Sequence, residues 1–247
     1  MSDDEEVRVT LQLSIAGSRV EAEAYVPRGP TRPLRMLPVF QHMADALVDR
    51  VARSAELNGL TISCKAGCGA CCRQLVPISE TETHHLRAIV DAMSEPRRTE
   101  IRQRFQTALR RIAESGLLEK LENRERLTED DLEPLGRTYF QLGIACPFLE
   151  DESCSIHPDR PISCREYLVT SPAVDCAAPS PETIRVLPLP GRVSAALARV
   201  DGSDSLRNTW WIPLPLALSH AESHPDAGPQ RPGVEILGEV LKLLSGK

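Results

Sequence analysis

The chain has 247 residues, 41% of them hydrophobic and 26% charged, which excludes a disordered chain and predicts a folded protein with a sizeable core. Its formal net charge of −6 excludes general nucleic-acid binding, which requires a basic surface. No run of about 18 apolar residues is present, and the acidic start lacks the apolar core of a secretion signal, so we expect no membrane segment and a cytoplasmic location.

Two segments near the start predict a β-hairpin. Apolar side chains occupy every second position over residues 7–15 and again over 20–26, which is the period of a half-buried strand. Ala16-Gly17-Ser18 is expected to form the turn between them. A helix is then predicted from about Pro38 to Leu57, where Asn58-Gly59 provides a C-terminal stop.

Helices are predicted to follow over residues 80–145. Ser79-Glu80-Thr81-Glu82 has the pattern of a capping box ahead of the first helix, and Pro96 is placed to open the second. Thr128 is expected to start one more helix, which Pro134 should interrupt early. No strand pattern is visible in this stretch.

The eight cysteines lie between residues 64 and 176, with none before or after. Four of them fall within nine residues, in the run Cys64-Lys-Ala-Gly-Cys68-Gly-Ala-Cys71-Cys72. The other four are spread more widely: they are Cys146, Cys154, Cys164 and Cys176. Because thiols stay reduced in the cytosol, this density favours metal ligation over disulfides.

The cysteine spacing favours an iron–sulfur centre over zinc. Zinc sites usually use two close pairs, whereas a clustered run followed by single cysteines is more typical of iron–sulfur ligation. We therefore predict one or two 4Fe–4S clusters held by the eight cysteines, with zinc as the alternative metal. Cys64, Cys68 and Cys71 are expected to share one centre with a residue of the second group. Because neighbouring side chains diverge, Cys72 is expected to join the remaining three.

Polar residues beside the cysteines have simpler interpretations. Four basic residues are expected to offset thiolate charge and lower the thiol pKa values. They are Lys65, Arg73, Arg160 and Arg165. His157 could ligate a metal, but a loop position is favoured. Glu166 is interpreted as an ordinary surface carboxylate.

The spacing Cys64-x3-Cys68-x2-Cys71 is also that of radical S-adenosylmethionine enzymes. Such enzymes need alternating strands and helices, whereas residues 80–145 predict helices alone. Ala70 also stands where an aromatic residue usually precedes the last cysteine. The spacing without that context does not indicate this chemistry.

Five motifs, taken in chain order, resemble the YkgJ-like cysteine-cluster family, also called CxxCxxCC, over about residues 60–180. They are Cys64 to Arg73, Val76-Pro-Ile-Ser-Glu, Cys146-Pro-Phe-Leu, Cys154-Ser-Ile and Arg160-Pro-x-x-Cys164-Arg. The chain departs from the family pattern in the three residues between Cys64 and Cys68, and in His157 where an aromatic residue is expected. The resemblance implies zinc or iron chelation by the eight cysteines. It fixes no reaction, although a related group, the flagellin lysine-N-methylases, transfers methyl groups.

The predicted fold is α+β and mostly α-helical, with a small N-terminal β-hairpin and a metal-centred cysteine-cluster domain. We divide the chain into a hairpin and helix over 1–60, the metal-binding domain over 61–180, and a Pro-rich segment over 181–247 whose last helix, Val234 to Leu244, packs on the core.

The first functional hypothesis is a redox or catalytic iron–sulfur protein, either an oxidoreductase or a cluster-dependent, methyltransferase-like protein. The second is a non-enzymatic zinc module with a structural or metal-handling role. Either would act on a protein or small molecule that the sequence does not identify.

Overall fold

A computed structural model describes residues 6–15, 18–180, 182–201 and 211–244. Helices dominate this part of the chain and strands are few, which confirms the predicted α+β, mostly helical class. The helices are α1 (Pro33–Leu57), α2 (Glu80–Ala92), α3 (Arg97–Glu114), α4 (Leu118–Glu122), α5 (Glu129–Gln141), α6 (Ile162–Glu166), α7 (Val193–Asp201), α8 (Ala217–Ser223) and α9 (Gly233–Leu244). The strands are β1 (Glu6–Ile15), β2 (Ser18–Pro27), β3 (Pro30–Thr31), β4 (Pro77–Ile78), β5 (Leu149–Glu150), β6 (Ser153–Cys154), β7 (Ile212–Pro213) and β8 (Arg231–Pro232).

The predicted hairpin is present. β1 and β2 pair antiparallel in a register that places Val7 opposite Val26 and Val9 opposite Ala24. Residues 16 and 17 of the predicted turn lie outside the described residues. The remaining strands are two-residue pairings, and two of them join distant parts of the chain: β3 with β8, and β4 with β7.

Helix α1 ends where predicted and begins earlier. Gly59, with φ of +80°, follows the last turn, in the left-handed conformation that glycine adopts without strain. The helix starts at Pro33 rather than near Pro38, because a proline fits the first turn and because Met36 and Leu37 are buried in the core. Pro38 lies inside the helix, where its missing N–H removes one hydrogen bond.

Helix α2 begins with the predicted capping box. The Ser79 hydroxyl accepts a hydrogen bond from the Glu82 backbone N–H, and the Glu82 carboxylate accepts one from the Ser79 backbone N–H at 2.8 Å.

The expectation that Pro134 interrupts the later helix is wrong, because α5 runs through it to Gln141. Two later side chains of α5, Leu135 and Tyr139, are buried, and this burial offsets the lost hydrogen bond.

The buried side chains form two clusters. The first joins α2, α3, α4, α5 and residues 212–218. The second joins β2, α1, α6, α7 and α9. The segments that carry the cysteines run between them: Cys146 and Cys154 pack against the first cluster, and Ile162 of α6 belongs to the second. In the described part of the chain, no helix combines the length and apolarity that crossing a bilayer requires. The three-part division of the chain stays a prediction.

Candidate metal centre

All eight cysteines line one cavity of about 800 Å³. Each is a free thiol, and Cys176 is the most enclosed, with 4% of its surface exposed. They arrive on three segments of the chain, namely residues 64–72, residues 146–154 and residues 164–176. The fold therefore collects in one place the cysteines that the sequence keeps up to 112 positions apart (176 − 64).

Tight turns place the first group. Gly67 has φ of +79°, and the Cys68 backbone N–H donates to the Lys65 carbonyl, which bends the chain between the first two cysteines. A 3₁₀ turn over Ala70–Arg73 then carries Cys71 and Cys72. As a result, four thiols are presented within a short arc of backbone.

The second group is bonded directly to the first. The Cys146 backbone N–H donates to the Cys72 carbonyl at 2.7 Å. The β5–β6 hairpin, which ends at Cys154, lies against Gly69 so closely that a Cβ there would be 2.6 Å from Leu149 Cδ1. The same Cβ would lie 2.7 Å from Glu152 Oε2 and 3.1 Å from Glu152 Cα, so a side chain at this position requires the Leu149 and Glu152 side chains to shift.

Helix α6, which carries Cys164, is held by two buried carboxylates, one near each of its ends. Glu82, 1% exposed, accepts a hydrogen bond from the Ile162 backbone N–H at 2.7 Å, at the start of α6. Glu166, at the end of α6, accepts one from the Val193 backbone N–H at 2.6 Å, at the start of α7. The interpretation of Glu166 as a surface carboxylate is wrong, since its side chain is fully buried and holds α7.

A third carboxylate closes a ring of helices. Asp201, at the end of α7, accepts hydrogen bonds from the backbone N–H and the hydroxyl of Thr81, at 2.8 and 2.7 Å. Thr81 lies in the first turn of α2, which also contains Glu82. Helices α2, α6 and α7 are therefore joined pairwise by three carboxylates, two buried and one half-buried, which we call the carboxylate ring (Glu82, Glu166 and Asp201).

Burial raises the pKa of the enclosed thiols, to about 12 for Cys146 and well above its ordinary range for Cys164. The pKa of Cys71 is raised first by a hydrogen bond with Cys72 and then by burial. Without a metal, the thiols of Cys71, Cys146 and Cys164 are therefore protonated. A metal that binds them displaces these protons and supplies the compensating positive charge.

Among the basic residues, Arg160 affects the pKa of the largest number of thiols. Its guanidinium lowers the pKa of three of them, against the effect of burial. They are Cys64, Cys71 and Cys154. His157 is exposed on the cavity rim and contacts the Arg160 guanidinium through Nε2, as a loop residue would.

Two of the other basic neighbours have carboxylate partners. Arg73 donates two hydrogen bonds to Glu152, at 2.6 and 3.0 Å, and so fastens the 3₁₀ turn to the β5–β6 hairpin. Arg165 is 7% exposed and donates to Asp45 at 2.7 Å. These two arginines hold segments together, which the sequence pattern did not indicate.

Electrostatic neighbours divide the thiols into two sets that share Cys71. Besides burial, the charges of three cysteines of the first group raise the pKa of the Cys176 thiol: Cys64, Cys68 and Cys71. Besides burial, the charges of Cys146 and Cys154, and again of Cys71, raise the pKa of the Cys164 thiol. Cys64, Cys68 and Cys176 therefore form one cluster, Cys146, Cys154 and Cys164 form another around α6 and the hairpin, and Cys71 neighbours both.

The donor set fits a metal centre. Eight thiols suffice for two sets of four, the number that both zinc and iron–sulfur clusters take. Within the ranges that the structure describes, no three histidine, cysteine or carboxylate side chains are arranged so that they could hold one metal ion. The fit therefore rests on the chemistry of the thiols and their enclosure in one cavity.

The cavity also has walls that the cysteine pattern did not reveal. The lining includes Arg192, which directly precedes α7, and Ala195 and Ala198 of α7. It also includes Trp211 and Leu214. They lie 16 or more positions after Cys176, and no motif spacing connects them with the cysteines. Only their position in the fold shows that they belong to the site.

Comparison with known families gives one match. Residues 63–183 match the family model CxxCxxCC, whose description is a putative zinc- or iron-chelating domain. The match includes all eight cysteines and confirms the resemblance found in the sequence, so metal binding is supported for this region. Neither a curated protein nor a solved structure matches the chain.

Proposed function

We propose that the zinc- or iron-chelating domain over residues 63–183 holds iron–sulfur clusters and gives the chain a redox or catalytic role. The observation that carries the proposal is the convergence of eight free thiols on one cavity. A cluster of the 4Fe–4S type takes four thiolates, so the eight provide for two.

The eight ligands divide into two sets of four under this proposal. The first set is Cys64, Cys68, Cys71 and Cys176, and the second is Cys72, Cys146, Cys154 and Cys164. The electrostatic neighbours of Cys176 support the first set, and those of Cys164 support the grouping of Cys146, Cys154 and Cys164. The hydrogen bond from the Cys146 N–H to the Cys72 carbonyl supports the place of Cys72 in the second set.

The size of the cavity favours a cluster over single zinc ions. An iron–sulfur cluster brings its own sulfides and fills a larger space, as a cavity of about 800 Å³ allows. When bound, a cluster supplies electron transfer or a Lewis-acidic iron. Burial and the charge of Arg160 would tune its potential.

The test is metal and acid-labile sulfide content on protein purified without air, together with its visible spectrum. The expected result is iron with matching sulfide, at about eight of each per chain, and a broad visible absorption. About four of each would mean that one set alone is filled. Zinc without sulfide, in a colourless protein, would overturn the proposal and leave a structural or metal-handling zinc domain.

A further inference from the structure

The cavity is larger than its cysteine lining, and its remaining wall comes from beyond the family match. We propose that it binds a small organic anion with an apolar body next to the metal centre. The inference goes beyond the proposed function and does not depend on which metal the cysteines hold.

The wall from the C-terminal part of the chain is firmly attached. β7 pairs with β4, placing Ile212 opposite Ile78, and the Leu214 N–H donates to the Val76 carbonyl at 2.9 Å. The start of α7 is held by the buried carboxylate of Glu166. The cavity is therefore formed before any ligand arrives, which reduces the ordering cost of binding.

The surface of this wall is apolar. Ala195 and Ala198 line the cavity from α7, and Trp211 and Leu214 line it from the segment that contains β7. Small side chains leave room, and an indole presents a flat face to an aromatic or branched aliphatic group. The metal centre and the ligand would share the cavity of about 800 Å³, which limits the ligand to a small molecule.

The charge of the wall selects an anion. Arg192 lines the cavity, is exposed, and makes no ion pair within 4 Å among the described residues, although its charge reaches the buried Glu166. Arg160 also lines the cavity, but its charge acts on the thiols. Among the described lining residues, Glu152 is the one carboxylate, and Arg73 occupies it with two hydrogen bonds. The Arg192 guanidinium is therefore available to bind an anionic group of the ligand.

Two probes with one shared body test the charge requirement. The metal-loaded chain is titrated calorimetrically, without air, with 8-anilinonaphthalene-1-sulfonate and with the uncharged N-phenyl-1-naphthylamine. We expect one site per chain and tighter binding of the sulfonate. Arg192→Gln should weaken the sulfonate about tenfold and leave the neutral probe unchanged. Arg199→Gln, an exposed arginine of α7 outside the cavity, is the matched control and should change neither affinity.

A second variant tests the location independently of charge. Ala195→Leu fills the apolar wall and should weaken both probes at least tenfold. Equal affinities of the two probes, equal effects of the two arginine variants, or unchanged binding by Ala195→Leu would overturn the proposal. Metal and sulfide are assayed on every sample. Probe binding without iron would therefore reject the iron–sulfur proposal alone, and iron without probe binding would reject the ligand site alone.

Discussion

Cys71 and Cys72 are adjacent in the sequence and have different surroundings in the fold. Cys71 interacts electrostatically with cysteines of both sets, including Cys64 and Cys164. The carbonyl of Cys72 accepts the hydrogen bond that docks Cys146. The two thiols are hydrogen-bonded to each other, so the pair stands where one chain segment can serve two adjacent metal centres.

The first prediction separates these two centres. Cys71→Ser and Cys72→Ser should each lose about half of the bound iron, because each removes a ligand from a different set of four. Cys176→Ser should lose the same half as Cys71→Ser, so their double variant should lose no more than either alone. Iron and sulfide analysis, with electron paramagnetic resonance of the reduced protein, measures these shares.

The double variant Cys71→Ser/Cys72→Ser is the matched control, and it should lose nearly all iron. If either single serine variant already loses all of it, the two-set division is wrong. The division is equally wrong if the Cys71 and Cys176 effects add.

The second prediction concerns Asp201, whose pKa burial raises to about 7. In the unfolded chain an aspartate has a pKa near 3.9, so the folded state favours the protonated form. Its contribution to stability is complete below about pH 4 and is lost as the pH rises through about 7. The free energy of unfolding should therefore fall, relative to Asp201→Asn, by roughly 1 kcal/mol per pH unit between about pH 5 and 7.

Urea unfolding of both proteins at a series of pH values measures this difference. Asp130→Asn, at an exposed position of α5, serves as the control and should follow the native profile. Parallel curves for the native chain and Asp201→Asn would contradict the assignment.

At the scale of elements, the carboxylate ring converts a local capping motif into a tertiary link. Glu82 completes the capping box of α2 and, with its other oxygen, accepts the N–H of Ile162 at the start of α6. α5 has a similar local pair, in which Asp131 accepts hydrogen bonds from the Thr128 backbone N–H and hydroxyl. That second pair is exposed and has no partner in another described element among its hydrogen bonds. The two motifs therefore differ in burial and in what the carboxylate reaches beyond its own helix.

The third prediction compares these two motifs. Glu82→Gln should lower the free energy of unfolding by about 2–3 kcal/mol, because an amide cannot accept from all three buried donors. It should also speed metal loss to a chelator, since α6 carries Cys164. Asp131→Asn should lower the free energy of unfolding much less and leave metal loss unchanged, because this exposed carboxylate only caps its own helix. Urea unfolding and the rate of iron transfer to a coloured chelator measure the effects. Equal metal-loss rates for the two variants would show that the ring does not position the ligand.

The elements that could be predicted from the sequence are those with a local cause. Alternation predicted the hairpin, Gly59 the end of α1, and the Ser79 capping box the start of α2. Pro134 misled the prediction because its cost is local, whereas the burial of Tyr139 that offsets it depends on the whole core. The pairing of Ile78 with Ile212 joins residues 134 positions apart in two-residue strands, which have no periodicity to detect.

The same distinction applies to the candidate site. The eight cysteines could be listed because four of them lie within nine residues, a local signal of metal chemistry. Glu82 and Arg192 could not be listed, since each is an ordinary residue type whose relation to the thiols arises only when the chain folds. Glu166 was misjudged for that reason as well.

At the scale of the molecule, the cysteine cavity lies where the two buried clusters meet. Phe148 and Ile156 line it from the first cluster, and α7 lines it from the second. A metal held there would connect segments that each cluster anchors separately. The first cluster is large and is completed by Ile101, Phe105 and Ile112 of α3, none of which lines the cavity. Its burial should therefore persist when the metal is absent.

The fourth prediction follows from this layout and concerns metal removal. Taking the metal out under anaerobic conditions should increase amide hydrogen exchange in the three cysteine segments, because the protonated thiols no longer hold them together. Amides of α3 should exchange at nearly the native rate, because the buried side chains of α3 do not line the cavity. Hydrogen exchange with mass spectrometry, before and after removal, resolves the two regions. Returning the metal should restore protection, which controls for irreversible damage. If α3 exchanges as fast as the cysteine segments, the metal is a staple for the entire fold, and the independence of the first cluster is wrong.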